Sequence, residues 1–338
     1  MGFVEWKGES PVRPPRQWIA RTFLVVAATA VIYVVGAAIV GWDDLRDQLG
    51  AFPGHLLAPL AGLSLANYLL RFLRWEIFLR RLGIRIGLPS SLVLYFSSYL
   101  MVITPGKIGE VFKAGLLRER FAVPMARGVP IVLAERIYDF LGVLLLAAAG
   151  LAFWPGPLVG LTGGLVAAAV VPVLLALFQV RPVRDRLLAR LAARPQLARH
   201  REGLQGATDT LGRLLGPAEA AWAVALSTAA WACECAGLWL VCSGLGLDVP
   251  LGQACFVYAA GTLVGSLSFL PGGLGGTEAT IVWLLGRLAV PSATAGAAAL
   301  IIRIFTLWLA VAVGLAFWGP SRRLLLETEN EAGGPAVR

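Results

Sequence analysis

The sequence predicts an all-α polytopic membrane protein of about six full transmembrane helices plus two re-entrant hairpins, in two inverted-topology repeats. Three observations carry that prediction. The 338-residue chain is 58% hydrophobic and only 14% charged, with a mean hydropathy of +0.75, far from the composition of a soluble domain. Several stretches approach the roughly 20 apolar residues needed to span a bilayer. Finally, Pro105-Gly106-Lys107-Ile108-Gly109-Glu110 and Pro271-Gly272-Gly273-Leu274-Gly275-Gly276-Thr277-Glu278 interrupt apolar runs in the same way, and each ends on a carboxylate.

Charge placement threads the elements. Residues 1–21 hold Lys7, Arg13, Arg16 and Arg21 and read as a cytoplasmic segment, because short cytoplasmic loops are enriched in Lys and Arg. The apolar run 22–41 is too long for a signal-peptide core and lacks a small-residue cleavage site, so it reads as a retained first helix. The acid-rich stretch 42–54 then lies outside. Segment 56–80 returns inward to Arg80, Arg81 and Arg85, and segment 129–151 leaves from the inside after Lys113, Arg118, Arg120 and Arg127. The apolar stretch 90–112 between them must therefore enter and leave on the cytoplasmic side, as a hairpin turning at Pro105-Gly106.

A further span at 158–178 leads back to the basic connection 179–217. There Leu187, Leu188 and Leu191 lie among Arg184, Arg186, Arg190 and Arg194, as in a solvated loop or an interfacial amphipathic helix on anionic lipid. Span 218–242 runs outward and span 294–318 returns, so stretch 252–290 becomes a hairpin from the outer side, turning near Pro271-Gly272-Gly273. Two pairs of short full spans would give the same sidedness. The result is one transmembrane domain, 22–318, with repeat one at about 55–151 and repeat two at about 218–318. The tail 319–338, with Arg322 and Arg323, is cytoplasmic.

The two breaks belong to a longer echo. Arg136 lies 26 residues after Glu110, and Arg303 lies 25 after Glu278. Leu82-Gly83-Ile84 and Leu245-Gly246-Leu247 stand 23 and 26 residues before the two prolines. Proline and clustered glycine release backbone groups from helical bonding, which hydrocarbon does not tolerate unless protein or a wet cavity satisfies them. Twice in corresponding halves, with an ionisable group each time, this is the pattern of a binding site between transporter repeats.

Ionisable groups at bilayer depth cost about 2.5–3.5 kcal/mol each on insertion scales, so they face a partner or a cavity. Asn67, Arg71 and Arg74 share one helical face at i, i+4 and i+7. Glu135, Arg136 and Asp139 open the third span, Glu234 lies mid-span, and Arg303 sits in the last. The spacing predicts the pairs Arg136–Glu110 and Arg303–Glu278. For Arg71 and Arg74 the alternative is snorkelling to the interface beside Arg80 and Arg81. Inside a cavity an arginine can exchange a carboxylate for a lipid phosphate, since guanidinium matches both in bidentate geometry. The substrate-binding candidates are therefore Asn67, Arg71, Arg74, Glu110, Arg136, Asp139, Glu278 and Arg303. Pro105, Gly106, Gly109, Pro271, Gly272, Gly273 and Gly275 are the hairpin breakers.

Other chemistries find little support. Cys233, Cys235, Cys242 and Cys255 lie in or beside apolar segments, where cysteine behaves as a small hydrophobe. Cys233 and Cys235 would point to different helix faces, and His55 and His200 are distant in sequence, so no metal site is assigned. No G-x4-G-K-[ST] run occurs, no cofactor is expected, and the driving energy would come from a gradient, with Glu110 and Glu278 as proton-carrier candidates. The basic residues flank spans, so nucleic acid is not an expected partner.

Asn67-x3-Arg71-x2-Arg74-Trp75, Pro105-Gly106-x2-Gly109-Glu110, Glu135-Arg136-x2-Asp139, Pro271-Gly272-Gly273-x-Gly275-x2-Glu278 and Arg303 form an ordered set. In order and spacing it resembles the lysylphosphatidylglycerol synthase transmembrane region, a flippase-like domain also found alone in bacterial and archaeal membranes. The resemblance covers about residues 20–320. It implies a multi-pass protein of the bacterial or archaeal cytoplasmic membrane that handles anionic or phosphate lipid headgroups, with a partner enzyme of lipid or envelope biosynthesis as a further contact. The full synthase adds a soluble aminoacyl-transfer domain, whereas only 20 residues follow Trp318 here, so synthase activity is not expected.

The leading expectation is a lipid flippase or scramblase without enzymatic activity. A polyprenyl-phosphate-dependent glycosyltransferase is the alternative, with Asp43 and Asp44 as its outer-loop acids; a non-transporting subunit of a lipid-modifying enzyme is another. The topology is directly testable by cysteine labelling in a background lacking native cysteines. A cysteine at Asp47 should react with an impermeant reagent in intact cells and one at Gln205 should not; labelling of Gln205 from outside would overturn the threading.

Overall fold

Long apolar segments punctuated by proline, glycine and arginine become helices. The computed structural model describes residues 42–104, 110–156, 165, 169 and 201–332, and all regular structure among them is helical. The expected spans 22–41 and 158–178 (apart from Leu165 and Ala169), the stretch 179–200, the breakers Pro105, Gly106 and Gly109, and residues 1–21 and 333–338 lie outside the described residues.

The described chain begins with α1 (Trp42–Ala51), followed by α2 (Leu57–Arg81) and α3 (Leu88–Ser97), which continues as a 3-10 segment, Ser98–Ile103. Then come α4 (Phe112–Phe121), α5 (Met125–Leu151), α6 (Arg201–Leu214) and α7 (Pro217–Gly244). The last part holds α8 (Leu251–Leu267), a 3-10 turn at Pro271–Gly273, α9 (Gly276–Arg287), α10 (Ser292–Arg303), a π turn at Ile304–Trp308, and α11 (Leu309–Ala332). Pro124, Pro250 and Pro291 occupy the N-cap positions of α5, α8 and α10. Proline fits there because its fixed φ suits the turn and no helical N–H is lost.

Three segments are long and apolar enough to cross a membrane, 54–81, 217–244 and 292–321, in register with the spans read from hydropathy. Helix α5 has 27 residues, which at about 1.5 Å per residue exceeds the roughly 30 Å hydrocarbon core, but it carries Glu135, Arg136 and Asp139. Several boundaries differ from expectation. The acidic stretch expected as an outer loop forms α1. The end of the basic connection is the helix α6, whose Leu214 carbonyl accepts a 2.8 Å hydrogen bond from the Tyr138 hydroxyl on α5. The last span is divided by the π turn, and its helix continues through Pro320 to Ala332 instead of stopping at 318.

The second break is clear. Gly261 faces Thr277 and Ile281, while Gly265 faces Thr277 and Gly273, so α8 and α9 run antiparallel. Between them Gly272, Gly273 and Gly275 have φ of 61°, 67° and 80°, values open to glycine and strained for other residues. Pro271 leads the turn.

Each half of the described chain has the order long helix, short helix, break, short helix, long helix. The packing between halves is reciprocal. Helices α2 and α7 pair; α5 packs on α8, and α3 with its 3-10 extension packs on α11. One hydrophobic core is built mainly from α7 to α10 and admits Leu60, Val143 and Ala147. The other is built mainly from α2 to α5 and admits Leu214, Ala223 and Ala310.

Backbone contact makes the α5–α8 crossing: a Cβ on Gly150 would lie 2.5 Å from the Phe256 nitrogen and 2.7 Å from the Gly252 oxygen. Gly150→Ala should therefore destabilise the protein by about 1–3 kcal/mol, the usual cost of overpacking. Gly62→Ala, with nothing within 4 Å of its Cβ, should be neutral or stabilising. Thermal unfolding in detergent would compare them; equal midpoints would refute the close-contact argument.

Candidate functional site

Helix α2 brings Asn67, Arg71 and Arg74 to the face it turns toward α5 and α7. The Asn67 side-chain amide donates to the Ala230 carbonyl on α7 at 2.8 Å. Arg71 Nη2 donates to Asp139 Oδ2 at 3.0 Å, and Arg74 Nη1 donates to Asp139 Oδ1 at 2.8 Å. Arg136, one turn before Asp139 on α5, places Nη2 2.9 Å from the same Oδ2. One carboxylate thus serves three guanidinium groups.

Arg74, 0% exposed, also donates to the Ser227 hydroxyl on α7 and lies 4.0 Å from Glu135. Snorkelling is therefore excluded for Arg71 and Arg74, while Arg80 and Arg81 keep exposed side chains.

The two spacing-derived pairs are present. Arg136 Nη2 lies 3.0 Å from Glu110 Oε2, and Arg303 Nε donates to Glu278 Oε1 at 2.7 Å. Arg303 Nη2 also donates to the Gly272 carbonyl at 2.6 Å, an acceptor that the irregular glycine backbone leaves outside a helical ladder. The carboxylate that follows each break thus holds the arginine of the next long element.

These groups converge on a cavity of about 470 Å³. Asn67, Arg71, Glu110, Arg136, Asp139 and Arg303 line it, together with Gly272 and Gly273. Two candidates do not reach it. Arg74 sits behind Asp139, and Glu278 sits behind Arg303; both support lining residues. Pro271 and Gly275 shape the turn without lining the cavity. The glycosyltransferase acids, Asp43 and Asp44, are exposed on α1 and take no part in it.

Several contributors escaped the sequence reading. Lys113 was read as a cytoplasmic flanking charge, yet it is 1% exposed. Its Nζ lies 2.6 Å from Glu135 and 3.9 Å from Glu110, over the rings of Trp75 and Tyr95. Its i+3 spacing from Glu110 was the available signal. Tyr68, Tyr99, Trp231 and Tyr258 also line the cavity. Arg71 packs between Tyr99 and Trp231, 5.7 and 5.6 Å from their ring centroids, where cation–π attraction adds to its ion pair. Glu234, noted in the sequence as a costly mid-span charge, lines the cavity as well.

Polar and apolar surfaces are segregated. Arg71, Arg136 and Arg303 face Glu110, Asp139 and Glu234 inside, while Phe140, Leu267 and Leu270 line the cavity and are 42%, 67% and 45% exposed. Such a site can hold an anionic group in guanidinium forks beside an apolar body.

Asp139 has more dependents than any other carboxylate of the site. Asp139→Asn should leave uncompensated buried arginines and destabilise the protein by about 3–5 kcal/mol. Asp209→Asn, at an exposed position on α6, should be close to neutral. Unfolding midpoints in detergent compare the two, and a stable Asp139→Asn protein would contradict the hub role.

The comparisons with known proteins agree with this architecture. The family model described as lysylphosphatidylglycerol synthase TM region matches residues 19–314. Three proteins of Methanothermobacter thermautotrophicus (strain Delta H), each named UPF0104 membrane protein, are similar to the chain. One is 24% identical over 333 residues, covering 90% of this chain and 93% of the relative. Another is 25% identical over 315 residues, covering 86% and 91%. The third is 36% identical over 92 residues, which span 27% of this chain and 28% of that relative. The chain belongs to the lysylphosphatidylglycerol synthase transmembrane-region family and is a membrane protein.

Proposed function

We propose that the protein is a lipid transporter, a flippase or scramblase, that moves a phospholipid or polyprenyl-phosphate-type lipid between leaflets. The observation that carries this reading is the charged cavity, where arginines from both halves meet beside an irregular glycine turn. Ligand cavities commonly measure about 300–1,000 Å³, so a volume of about 470 Å³ suits a headgroup while the chains stay against Phe140, Leu267 and Leu270.

The two halves act as inverted-topology repeats, with 90–112 and 252–290 entering the bilayer from opposite faces. Reciprocal packing of α5 on α8 and of α3 on α11 supports a two-fold relation between the halves, and the antiparallel α8–α9 pair supports a hairpin at the second break. Transport is then a rocking of one half against the other around a fixed site. No enzymatic step is required of the protein, and both termini are cytoplasmic.

Each guanidinium–phosphate contact strengthens headgroup binding by about 1.5–3 kcal/mol, or roughly tenfold or more. Purified protein in liposomes should exchange a fluorescent phospholipid between leaflets without any sugar donor. Arg303→Ala should slow exchange roughly tenfold or more, and Arg322→Ala should leave it unchanged. No exchange by the wild-type protein with any phosphate-bearing lipid would overturn the transporter reading, and equal rates for the two variants would remove the role of Arg303.

A further inference from the structure

Glu234 is the acidic side chain that the pairing scheme leaves over. Glu110, Asp139 and Glu278 each hold an arginine at 3.0 Å or less, and Glu135 holds Lys113 at 2.6 Å. Glu234 is 3% exposed in the middle of α7 and lines the same cavity. Among the described residues its polar contact is a long hydrogen bond from the Ser64 hydroxyl, 3.4 Å, and no basic group lies within ion-pair distance.

The elements packed around it explain why. From α2, Ser64, Tyr68 and Arg71 face Glu234, but Arg71 is committed to Asp139. From α10 and the π turn come Arg303, committed to Glu278 and the Gly272 carbonyl, and Thr306. Helix α8 supplies Tyr258, α5 supplies Arg136 and Asp139 across the cavity, and Cys233 adjoins Glu234 on α7. A carboxylate in such a position costs much to keep charged and has no fixed partner to repay it.

The charge balance gives that carboxylate a use. Arg71, Arg74, Lys113, Arg136 and Arg303 are matched by Glu110, Glu135, Asp139, Glu234 and Glu278. The cluster is neutral with Glu234 ionised and carries one positive charge with Glu234 protonated. An anionic headgroup therefore binds best to the protonated site.

We propose that Glu234 is a proton-binding site coupled to headgroup occupancy, so that the cavity takes up one proton with each anionic headgroup and releases the two together. The inference rests on the transport reading and adds its energy source: a proton gradient would drive lipid movement through this side chain. The proton comes from bulk water onto a carboxylate oxygen and returns there, with no other bond made or broken. Glu110 and Glu278, the carriers suggested by sequence, are tied to arginines and act as fixed counter-charges. By linkage, if headgroup binding favours the proton, the proton favours the headgroup by the same factor. Affinity must then rise as pH falls through the titration of Glu234.

The test uses the full chain in detergent with dihexanoyl phosphatidylglycerol, whose single phosphodiester charge is constant between about pH 6 and about pH 9. Calorimetric titration should show binding roughly tenfold tighter at the acid end, the order expected for one added charge several ångströms away at intermediate dielectric. Titrations in buffers of different ionisation enthalpy should reveal proton uptake approaching one per lipid. Glu234→Gln should bind lipid with no pH dependence and no proton uptake, and Glu234→Asp should restore the uptake.

Equal wild-type affinity across the pH range, or an unchanged pH slope in Glu234→Gln, would overturn the proton role and leave lipid binding standing. Should Glu234→Gln fail to fold, absence of uptake in the wild type or in Glu234→Asp still refutes it. No binding at any pH would remove both this inference and the transport reading.

Discussion

A positive charge inside hydrocarbon must bring its counter-charge with it, and in this protein that requirement fixes where the helices stand. Arg71 and Arg74 belong to α2, Arg136 belongs to α5, and all three converge on Asp139 of α5. The bond from Arg74 to Ser227 and that from Asn67 to the Ala230 carbonyl extend the network to α7. The angle between α2, α5 and α7 is thus set by short polar contacts with narrow geometry, and the apolar residues around them fill the space that remains. Among lipid-like surroundings, apolar contact alone discriminates weakly between one helix register and another, so polar contacts of this kind specify the arrangement.

The same requirement is met differently in the two halves. In the first, a network ties Glu110, Lys113, Glu135, Arg136 and Asp139 to two arginines of α2. In the second, Arg303 bonds one carboxylate and one backbone carbonyl, that of Gly272. The glycine turn supplies the acceptor that the first half takes from Asp139. Equivalent positions thus produce a heavily cross-linked half and a lightly held one, and local opening is drawn from the part with fewer buried contacts. The asymmetry identifies the α8–α9 turn as the softer wall of the cavity.

Much of this was legible in the sequence. Hydropathy placed α2, α7 and the last span closely, because a bilayer-length apolar run has few alternatives. The Arg136–Glu110 and Arg303–Glu278 pairs followed from matched spacing after a break. What escaped depended on direction in three dimensions. Lys113 looked like one more cytoplasmic cation because loop-charge rules count residues without asking where each points. Arg74 and Glu278 were read as cavity residues, yet stand one layer behind it, since a shared helix face does not distinguish a lining group from its support. Helix α1 was hidden by its acidity, which marks sidedness and says nothing against a short helix. The π turn at 304–308 has no proline or glycine to announce it.

That π turn has a consequence for how the chain tolerates changes in length. A π turn accommodates one residue more than a regular α-helix of the same rise. Upstream, the helix is anchored by Arg303 to Glu278 and Gly272; downstream, it is anchored where Gly314 meets the backbone of Tyr99 and Leu100. Removing one residue between these anchors would regularise the helix and rotate everything beyond it by about 100°. Gly314 would turn away from its groove, and a larger neighbour would turn in. The less ideal helix is therefore the one that keeps both anchors in phase, and single-residue insertions and deletions between 304 and 313 should be tolerated far less well than substitutions there.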